Sequence, residues 1–471
     1  MPAKKINTFI FLFFFTFFTA IASVRSDIRY LVKKYRLSDA SIGIAAERVN
    51  SGKMLYQYAE NRPFTPASNN KIFTAIAALT VLPDDFTFNT TVYYNKDHYI
   101  NGVLKDNLYI KFSGDPSLTG SELYNLISQI RQHGIRQING NIIVVADKFS
   151  GRYIPEGWSK SDANYCYAAP SSTLNLNRNC FTFKLMKASN NHTNIESVAN
   201  TTNIRFLNNA RLAPYRIRKN CPFKMTMNQQ NQLKLSGCLP ENAEFYLSLA
   251  IKNPALKTLN TVKDFFKQTG IRYSGKVVIG SMPVFALYQM AEIRSEPLAD
   301  LLTHMLLKSD NLYAESLART VGYYVYGTGS TEMATKAIKS VLENKYHANI
   351  RALTMKDGSG LSHLDKVTPK FMVSLLTKVY NSRIGKQLYQ SLPTSGTDGT
   401  LTYRMGGYLK GKVHAKTGTL EGVSTLSGYL ISQKHHLISF SIMLNGLKSK
   451  QERYRARSFQ DRVAGVFYKS L

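Results

Sequence analysis

Four residues near the start of the chain have the types and spacing of a covalent catalyst. Ser68-Asn69-Asn70-Lys71 is an S-x-x-K sequence at the start of a predicted helix. Side chains three residues apart on a helix lie on one face, within hydrogen-bond reach of each other. The amino terminus of the helix would favour an alkoxide on Ser68, and a neutral Lys71 could remove the serine proton. A neutral lysine requires a lowered pKa, which burial and a second nearby cation can provide.

A second group of candidate site residues lies near the carboxyl end of the chain. Lys416-Thr417-Gly418-Thr419 is K-T-G followed by another threonine, at the end of a short strand-like run. On an edge strand facing the serine, Lys416 and the Thr417 hydroxyl could hold a substrate carboxylate. Gly418 would let a ligand approach the backbone closely, and the Thr419 N–H could donate to an oxyanion.

A third motif, Ser309-Asp310-Asn311, is an S-x-N between two predicted helices. The same triplet occurs at Ser189-Asn190-Asn191, so on its own it carries almost no weight. The order S-x-x-K, S-x-N, K-T-G is the signature of serine β-lactamases and penicillin-binding proteins. The alternative is three coincidental triplets, and the joint match in this order argues against it.

The elements that must hold these motifs follow from hydrophobic periodicity. Alternation over Ser41–Arg48 and Met54–Tyr58 predicts a β-hairpin, and a buried helix is predicted from Ser68 onward. Two more strands are predicted over Ser424–Ser432 and His436–Leu444. Helical periodicity covers Leu298–Leu307, Leu312–Val325, Glu332–Leu342, Phe371–Tyr380 and Ile384–Leu392.

A last helix is predicted over Gln451–Leu471, with Phe459, Val463 and Phe467 at four-residue spacing. Such an apolar stripe either packs against a C-terminal sheet or lies on a membrane surface. Packing against a C-terminal sheet is the favoured interpretation.

The region from residue 86 to residue 282 has a different pattern. It contains short β-rich runs separated by Gly, Asn and Asp turns, and only Ser121–His133 and Leu259–Thr269 look helical. We therefore predict a catalytic domain made of residues 23–85 and 283–471, interrupted by an inserted β-rich region of one or two subdomains. The cysteine-containing part of this region covers about residues 160–240.

The amino terminus has the organisation of a signal peptide. Lys4 and Lys5 precede an apolar run over residues 9–18, and Ala20-Ile21-Ala22 supplies small residues for cleavage. Such a signal would direct export to the periplasm, with cleavage near Ala22, and an uncleaved N-terminal anchor is the alternative. The 60 Lys and Arg residues against 30 Asp and Glu residues give a formal charge of +30, which cleavage reduces to +28. Export argues against nucleic acid as a partner and leaves lipid headgroups and cell-wall polymers as anionic candidates.

The four cysteines agree with export. Cys166, Cys180, Cys221 and Cys238 could form two disulfides in an oxidising compartment, with three possible connectivities. We favour Cys166–Cys180 and Cys221–Cys238, because each pair closes a short loop, and unpaired thiols are the alternative. No metal site is expected, because C-x-x-C spacing is missing and His192 is the one histidine in this stretch.

Further sequence blocks resemble those of one family. The chain is similar to the D-alanyl-D-alanine carboxypeptidase/endopeptidase family of class C low-molecular-mass penicillin-binding proteins (the penicillin-binding protein 4 type, peptidase family S13). The resemblance includes the long insertion between Lys71 and Ser309 and extends over nearly all of the mature chain. It is carried by Phe112-Ser113-Gly114-Asp115-Pro116-Ser117-Leu118, Ala314-Glu315, Asp357-Gly358-Ser359-Gly360-Leu361-Ser362, Leu392-Pro393, Asp398-Gly399-Thr400-Leu401 and the sequences around Cys180 and Cys238.

This resemblance implies an α/β (α+β) transpeptidase-like domain with an antiparallel five-stranded sheet flanked by helices and interrupted by inserted domains. It implies that Ser68 is the nucleophile, that Lys71 is the general base and that Ser309 relays a proton to the leaving amine. It also implies that Asn311 binds the substrate amide, and that Lys416 and Thr417 hold the terminal carboxylate. The N–H groups of Ser68 and Thr419 would form the oxyanion hole. Arg404 would contact the side-chain carboxylate of diaminopimelate, with a surface arginine as the alternative.

The function implied is hydrolysis of peptidoglycan stem peptides and cross-links through a Ser68 acyl-enzyme, without a cofactor. β-Lactam antibiotics would acylate the same serine and act as covalent inhibitors. Two alternatives remain: a β-lactamase, or a non-catalytic protein whose positive charge holds anionic wall polymers or an anionic membrane surface. The long insertion argues against the first alternative, and the intact set of Ser68, Lys71 and Lys416 argues against the second.

Overall fold

A computed structural model describes residues 24–188, 191–241 and 244–471. The chain forms two compact units. The first contains residues 24–82 together with Ala299–Asp310 and Thr335–Leu471, and the second contains the described residues of Pro83–Leu298 and Asn311–Ala334. The predicted signal peptide, residues 1–22, lies outside the described residues.

The first unit is built on a five-stranded antiparallel sheet. Its strands, in spatial order, are Lys53–Tyr58, Ser41–Arg48, Leu437–Asn445, Val423–Ile431 and Val413–Leu420. Segments from both ends of the chain thus share one sheet, and the strand that carries K-T-G lies at its edge. The antiparallel five-stranded sheet implied by the family resemblance is confirmed.

Helices cover both faces of this sheet. They are residues 24–34, Asn70–Val81, Leu298–Lys308, Pro369–Tyr380, Gly385–Ser391, Lys450–Ser470 and the second part of Thr331–Tyr346. Local sequence explains where they begin. Pro369 occupies the first turn of its helix while the Thr368 side chain accepts from the Phe371 N–H, and Ser449 caps the last helix by accepting from the Glu452 N–H.

The apolar stripe of the last helix belongs to the core of the first unit. Phe459, Val463 and Phe467 are fully buried, in the same cluster as Ile44 and Ile442 of the central strands. The packing interpretation of the stripe is therefore confirmed, because these side chains are not available to a membrane surface. On the other face of the sheet, helix Pro369–Tyr380 bonds directly to the strands, since the Tyr429 hydroxyl donates to the Leu376 carbonyl at 2.8 Å.

The second unit contains a larger five-stranded sheet and a small four-stranded sheet. The larger sheet has the order Val277–Gly280, Ile142–Val145, Leu108–Lys111, Asn89–Tyr94 and Tyr288–Arg294, with its first three strands parallel. The small sheet consists of Arg272–Tyr273, Gln137–Ile138, Val103–Leu104 and Tyr99–Ile100. Helices Gly120–Gln132 and Pro254–Thr269 pack in the same core, and helices Tyr215–Arg218 and Asn311–Tyr326 complete the unit with the start of Thr331–Tyr346.

The cysteine-containing part of the second unit has its own core. It consists of two three-stranded sheets, one of Thr193–Ala199, Cys180–Lys187 and Phe245–Ala250, the other of Arg205–Leu212, Gln232–Leu239 and Lys224–Met227. Phe181, Phe183, Leu233 and Leu235 are fully buried between them. The disulfides are Cys166–Cys180 and Cys221–Cys238, so the favoured local pairing is confirmed.

The second unit extends further along the chain than the β-rich region predicted from the sequence. Tyr288–Arg294 pairs with Asn89–Tyr94 and thereby adds an edge strand to the larger sheet, and the unit includes Asn311–Ala334. The division into a catalytic domain and an insertion stays a prediction. Within the described part of the chain, no helix has the length and apolarity needed to cross a membrane.

Candidate active site

The S-x-x-K motif lies where a short 3-10 turn, Ala67–Asn69, continues into helix Asn70–Val81. Lys71 Nζ donates to Ser68 Oγ at 3.0 Å and to the Ser359 carbonyl at 2.7 Å. Lys71 is fully buried and Ser68 is half-buried. The helical spacing predicted from the sequence thus produces a hydroxyl in direct contact with a buried amine. This is the arrangement that activates a serine without a histidine.

The residue before the serine has an uncommon backbone conformation. Ala67 has a φ of +49°, in the left-handed region, which costs an alanine about 1 kcal/mol. Ser309 also has a positive φ, of +56°. Such conformations persist only where the surrounding structure imposes them. Two glycines pack closely against the turn that contains Ala67. An added Cβ at Gly360 would lie 1.9 Å from the Ala67 carbonyl oxygen, and one at Gly418 would lie 2.7 Å from the Pro66 carbonyl oxygen.

The loop formed by residues 357–362 supports the base of the serine helix. The Asp357 carboxylate accepts from the Gly360 N–H at 2.6 Å and from the Ser362 N–H at 2.8 Å, which fixes the loop as a tight turn. The carbonyls of this turn then point at the helix, where that of Ser359 accepts from Lys71 and that of Gly358 accepts from the Thr74 hydroxyl at 2.6 Å. The family-like block at Asp357 therefore orients the lysine of the motif.

Asn69 joins the serine helix to the edge strand. Its amide nitrogen donates to the Lys416 carbonyl at 3.2 Å, and its amide oxygen accepts from the Thr425 hydroxyl at 2.7 Å. Thr425 pairs with Gly418 in the sheet and also donates to the Pro66 carbonyl, at 2.7 Å. These buried contacts hold K-T-G against the serine turn. K-T-G thus lies on an edge strand that faces the serine turn, as the motif predicts.

The open edge of strand Val413–Leu420 is partly covered. Thr394 bridges His414, and the Ala415 N–H donates to the Pro393 carbonyl at 2.9 Å. The segment that follows Leu392 therefore covers the strand edge only as far as Ala415, the residue before K-T-G. An extended peptide has access to the second half of the strand, at Lys416 and beyond.

Lys416 is the second buried lysine of the site. Its Nζ donates to Ser309 Oγ at 2.9 Å and to the Thr417 carbonyl at 3.0 Å, and its side chain is fully buried. Burial, with a further contribution from the charge of Lys71, holds the pKa of Lys416 well below the usual lysine value of 10.5. Burial and mutual repulsion therefore make it costly for both amines to carry a proton at the same time.

This pKa shift predicts a pH-dependent stability. Between the lowered pKa and 10.5, Lys416 is neutral in the folded protein and protonated in the unfolded chain, so the free energy of unfolding should rise with pH. Lys416→Met removes that contribution, and we expect a smaller slope in urea unfolding measured between about pH 7 and about pH 10. Lys448→Met, at an exposed lysine paired with Asp39, is the control and should leave the slope unchanged. Equal slopes in wild type and Lys416→Met would contradict the prediction.

The two threonines of the K-T-G-T motif are accessible from solvent. The Thr417 hydroxyl donates to the Thr400 hydroxyl at 2.8 Å, so the family-like Asp398 block orients the threonine predicted to bind a carboxylate. Thr419 is exposed and its hydroxyl accepts from Arg457 at 3.4 Å. Both hydroxyls are within reach of a peptide bound along the strand.

Two predicted site residues have other partners. Arg404 forms an ion pair with Asp461 at 2.6 Å and also donates to the Gln460 side chain at 3.1 Å, which is the environment of a structural arginine. Asn311 begins a helix of the second unit, and its amide nitrogen donates to the Tyr167 carbonyl at 2.7 Å. The roles of both residues in substrate binding stay predictions.

Sequence analysis missed three residues that shape this site, namely Asn69, Thr425 and Asp365. Asp365 accepts from the Asn70 amide at 2.7 Å and from the Lys356 N–H at 2.7 Å, and so anchors the start of the serine helix. The two asparagines inside S-N-N-K were a usable signal, since polar residues at helix positions that must be buried need fixed partners. Asp365 and Thr425 had no comparable signal in the sequence.

Comparisons with known proteins agree with this geometry. The model of the D-Ala-D-Ala carboxypeptidase 3 (S13) family matches residues 24–465. The chain is 31% identical over 448 residues to the D-alanyl-D-alanine carboxypeptidase DacB of Haemophilus influenzae, with 91% of each chain covered. The crystal structure of penicillin binding protein 4 (dacB) from Haemophilus influenzae is similar with a TM-score of 0.87 and 31% identity, over 94% of this chain and 99% of that chain. Its complex with a β-lactam (CMV) gives a TM-score of 0.82 and 28% identity over the same shares.

Proposed function

Because the chain belongs to the D-Ala-D-Ala carboxypeptidase 3 (S13) family, we propose that it is a serine-type D-alanyl-D-alanine carboxypeptidase that also acts as a D,D-endopeptidase. Its substrates are peptidoglycan stem peptides and their cross-links. The observation that carries this function is the 3.0 Å contact between Ser68 Oγ and the buried Lys71 Nζ, beside a second buried lysine with a lowered pKa.

The first step is acylation of Ser68. Its Oγ forms a bond to the carbonyl carbon of the penultimate D-Ala, and its proton passes to neutral Lys71 Nζ along the 3.0 Å contact. The π-electron pair of the carbonyl moves to its oxygen. The N–H groups of Ser68 and Thr419 stabilise the resulting oxyanion. Their arrangement is supported by Gly418, which brings the edge strand within van der Waals contact of the serine turn.

The second step breaks the peptide bond. The oxyanion pair restores the carbonyl, and the C–N bond breaks with its electron pair on nitrogen. The amine leaves as D-Ala, or as diaminopimelate in a cross-link, after Ser309 has relayed to it the proton that Lys71 took from Ser68. Ser309 is suited to this relay because its Oγ is 2.9 Å from Lys416 Nζ. In deacylation the oxygen of a water molecule bonds to the acyl carbon and the bond from that carbon to Ser68 Oγ breaks. The shortened peptide is released, and a proton from the water restores the Ser68 hydroxyl through Lys71.

Substrate is held as an added strand on the open half of Val413–Leu420. Thr417 and Lys416 bind the terminal carboxylate, and Asn311 binds the substrate amide. Support comes from the Thr400 contact that orients Thr417 and from the cover over the first half of the strand, which leaves Lys416–Leu420 for the peptide.

The cellular setting follows from the same proposal. The signal peptide directs export to the periplasm and is cleaved near Ala22, and the two disulfides form in that compartment. β-Lactams acylate Ser68 and remain attached, as the β-lactam complex of the similar penicillin binding protein 4 supports. A mature charge of +28 favours contact with anionic wall polymers and with an anionic membrane surface, and nucleic acid is not a partner.

Intact mass followed over time, with excess benzylpenicillin, tests the function. We expect one stable adduct per protein, absent in Ser68→Ala, together with release of D-Ala from a diacylated Lys-D-Ala-D-Ala peptide. An adduct that forms and clears rapidly would favour a β-lactamase. No adduct and no D-Ala release from folded protein would overturn the catalytic assignment in favour of a binding protein, whose polymer binding should survive Ser68→Ala.

A further inference from the structure

A guanidinium group lies beside the exposed end of the K-T-G-T strand. Arg457, on helix Lys450–Ser470, donates from Nη2 to the Thr419 hydroxyl at 3.4 Å. Its guanidinium carbon lies 5.6 Å from the centre of the Tyr454 ring, which is exposed on the same helix. Among the residues that the structure describes, Arg457 has no carboxylate within ion-pair distance. A half-buried arginine with polar and aromatic neighbours but no acid is prepared to bind an anion.

The neighbouring arginine explains why Arg457 lacks an acidic partner. Asp461, one helical turn further along, is engaged by Arg404 at 2.6 and 3.0 Å. Arg404 also donates to the Arg457 carbonyl at 3.3 Å, so it fixes the backbone from which Arg457 extends. Burial is the largest cause of the lowered pKa of Arg457, and repulsion from the charges of Arg404 and Arg453 lowers it further. An incoming anion would relieve this repulsion.

The direction of the bound substrate places its acyl part near Arg457. In the function proposed above, the leaving group carboxylate lies at Thr417 and the scissile carbonyl oxygen lies at the Thr419 N–H. A peptide that runs antiparallel to the strand therefore continues, on the acyl side of the scissile bond, from Thr419 toward Leu420. That is the end of the strand at which the Arg457 guanidinium meets the Thr419 hydroxyl.

We propose that Arg457 is a specificity residue that binds a carboxylate carried by the acyl part of the substrate, with Arg404 as the positioning residue that holds it. The inference rests on the proposed function and names a preferred substrate class, acyl donors with a free carboxylate close to the penultimate residue. It assigns to Arg457 the recognition of an acidic side chain that sequence analysis predicted for Arg404. The difference is physical, because the charge of Arg404 is already neutralised by Asp461.

Two penicillins form a matched pair of probes. Carbenicillin differs from benzylpenicillin by one carboxylate, on the acyl side chain and far from the carboxylate of the penam ring. The measurement is the second-order rate constant for acylation of Ser68 by each compound, taken from intact mass. In Arg457→Gln we expect the ratio of the carbenicillin constant to the benzylpenicillin constant to fall about tenfold, the effect of one partly exposed charge-assisted hydrogen bond. Arg457→Lys should give an intermediate ratio, because lysine keeps the positive charge but lacks the planar guanidinium that can donate two parallel hydrogen bonds to a carboxylate.

The matched control is Arg455→Gln on the same helix, since Arg455 is paired with Glu452 at 3.7 Å. It should leave both rate constants and their ratio unchanged. An unchanged ratio in Arg457→Gln would overturn the inference. This holds if both rate constants stay at the wild-type value. It also holds if both fall by the same factor, which is the result expected if Arg457 only supports the strand. Failure of wild type to react with either penicillin would instead refute the proposed function, and the inference with it.

Discussion

Lys71→Met should slow acylation of Ser68 by about 10²- to 10⁴-fold, the contribution expected of a positioned general base. Lys71 Nζ is the group that contacts Ser68 Oγ, at 3.0 Å, and its second hydrogen bond, to the Ser359 carbonyl, holds it there. Methionine has a similar length and no charge, so it fills the same buried space without accepting a proton. The rate constant for acylation by benzylpenicillin, taken from intact mass, measures the effect.

Folding should be largely retained in this variant. Removing a buried amine also removes its desolvation cost, which offsets the loss of two hydrogen bonds. Lys378→Met is the matched control, because Lys378 also donates to a carbonyl, that of His347 at 2.8 Å, but at an exposed position. It should acylate at the wild-type rate. Near-normal acylation in Lys71→Met would mean that the serine proton goes to another group, and the proposed mechanism would be wrong.

Gly360→Ala should both destabilise the protein and impair the site. Gly360 has a φ of +80°, and an added Cβ would lie 1.9 Å from the Ala67 carbonyl oxygen and 2.5 Å from the carbon of that carbonyl. Both contacts are with backbone, so a side-chain rotation cannot relieve them. Either the 357–362 turn or the serine turn must move, and we expect a loss of about 3–5 kcal/mol in the free energy of unfolding.

The same displacement should reduce acylation at least about 10²-fold, because a shift of about 1 Å misplaces Ser68 and Lys71 relative to each other. Urea unfolding and the benzylpenicillin rate constant report the two effects. Gly446→Ala is the control that separates the effect of the steric clash from that of backbone strain. Gly446 has a similar φ, of +77°, but nothing lies within 4 Å of the added Cβ. It should cost only about 1 kcal/mol. Equal losses of stability in Gly360→Ala and Gly446→Ala would contradict the prediction, because they would show that the 357–362 turn accommodates the added methyl group.

Features that depend on short stretches of sequence were predicted well. Three-residue spacing on a helix implied the contact of Ser68 with Lys71, because helix geometry alone brings such side chains together. Alternation implied the strands of the central sheet, and the disulfides joined cysteines 14 and 17 residues apart. In each case the decisive interaction lies within one element or one short loop, so its pattern is written in adjacent residues.

Features that depend on packing between distant segments required the tertiary structure. The last helix showed an apolar stripe that suited either a membrane or a sheet, and only its burial beside Ile44 and Ile442 decided between them. The resemblance implied a substrate contact for Arg404, with a surface arginine as the alternative, and that role stays a prediction. The ion pair of Arg404 with Asp461, 57 residues away, was visible only in the tertiary structure.

The sequence by itself determined the chemistry of this protein, because the identities and order of S-x-x-K, S-x-N and K-T-G are local and specific. Tertiary structure decided how those groups are tuned. The contacts of Lys416 with Ser309 and of Asn69 with Thr425 span 107 and 356 residues. The lowered pKa of Lys416 arises from burial by segments remote from it in the chain. Desolvation and long-range hydrogen bonds depend on how whole elements pack together, and residue spacing along one segment carries no record of that.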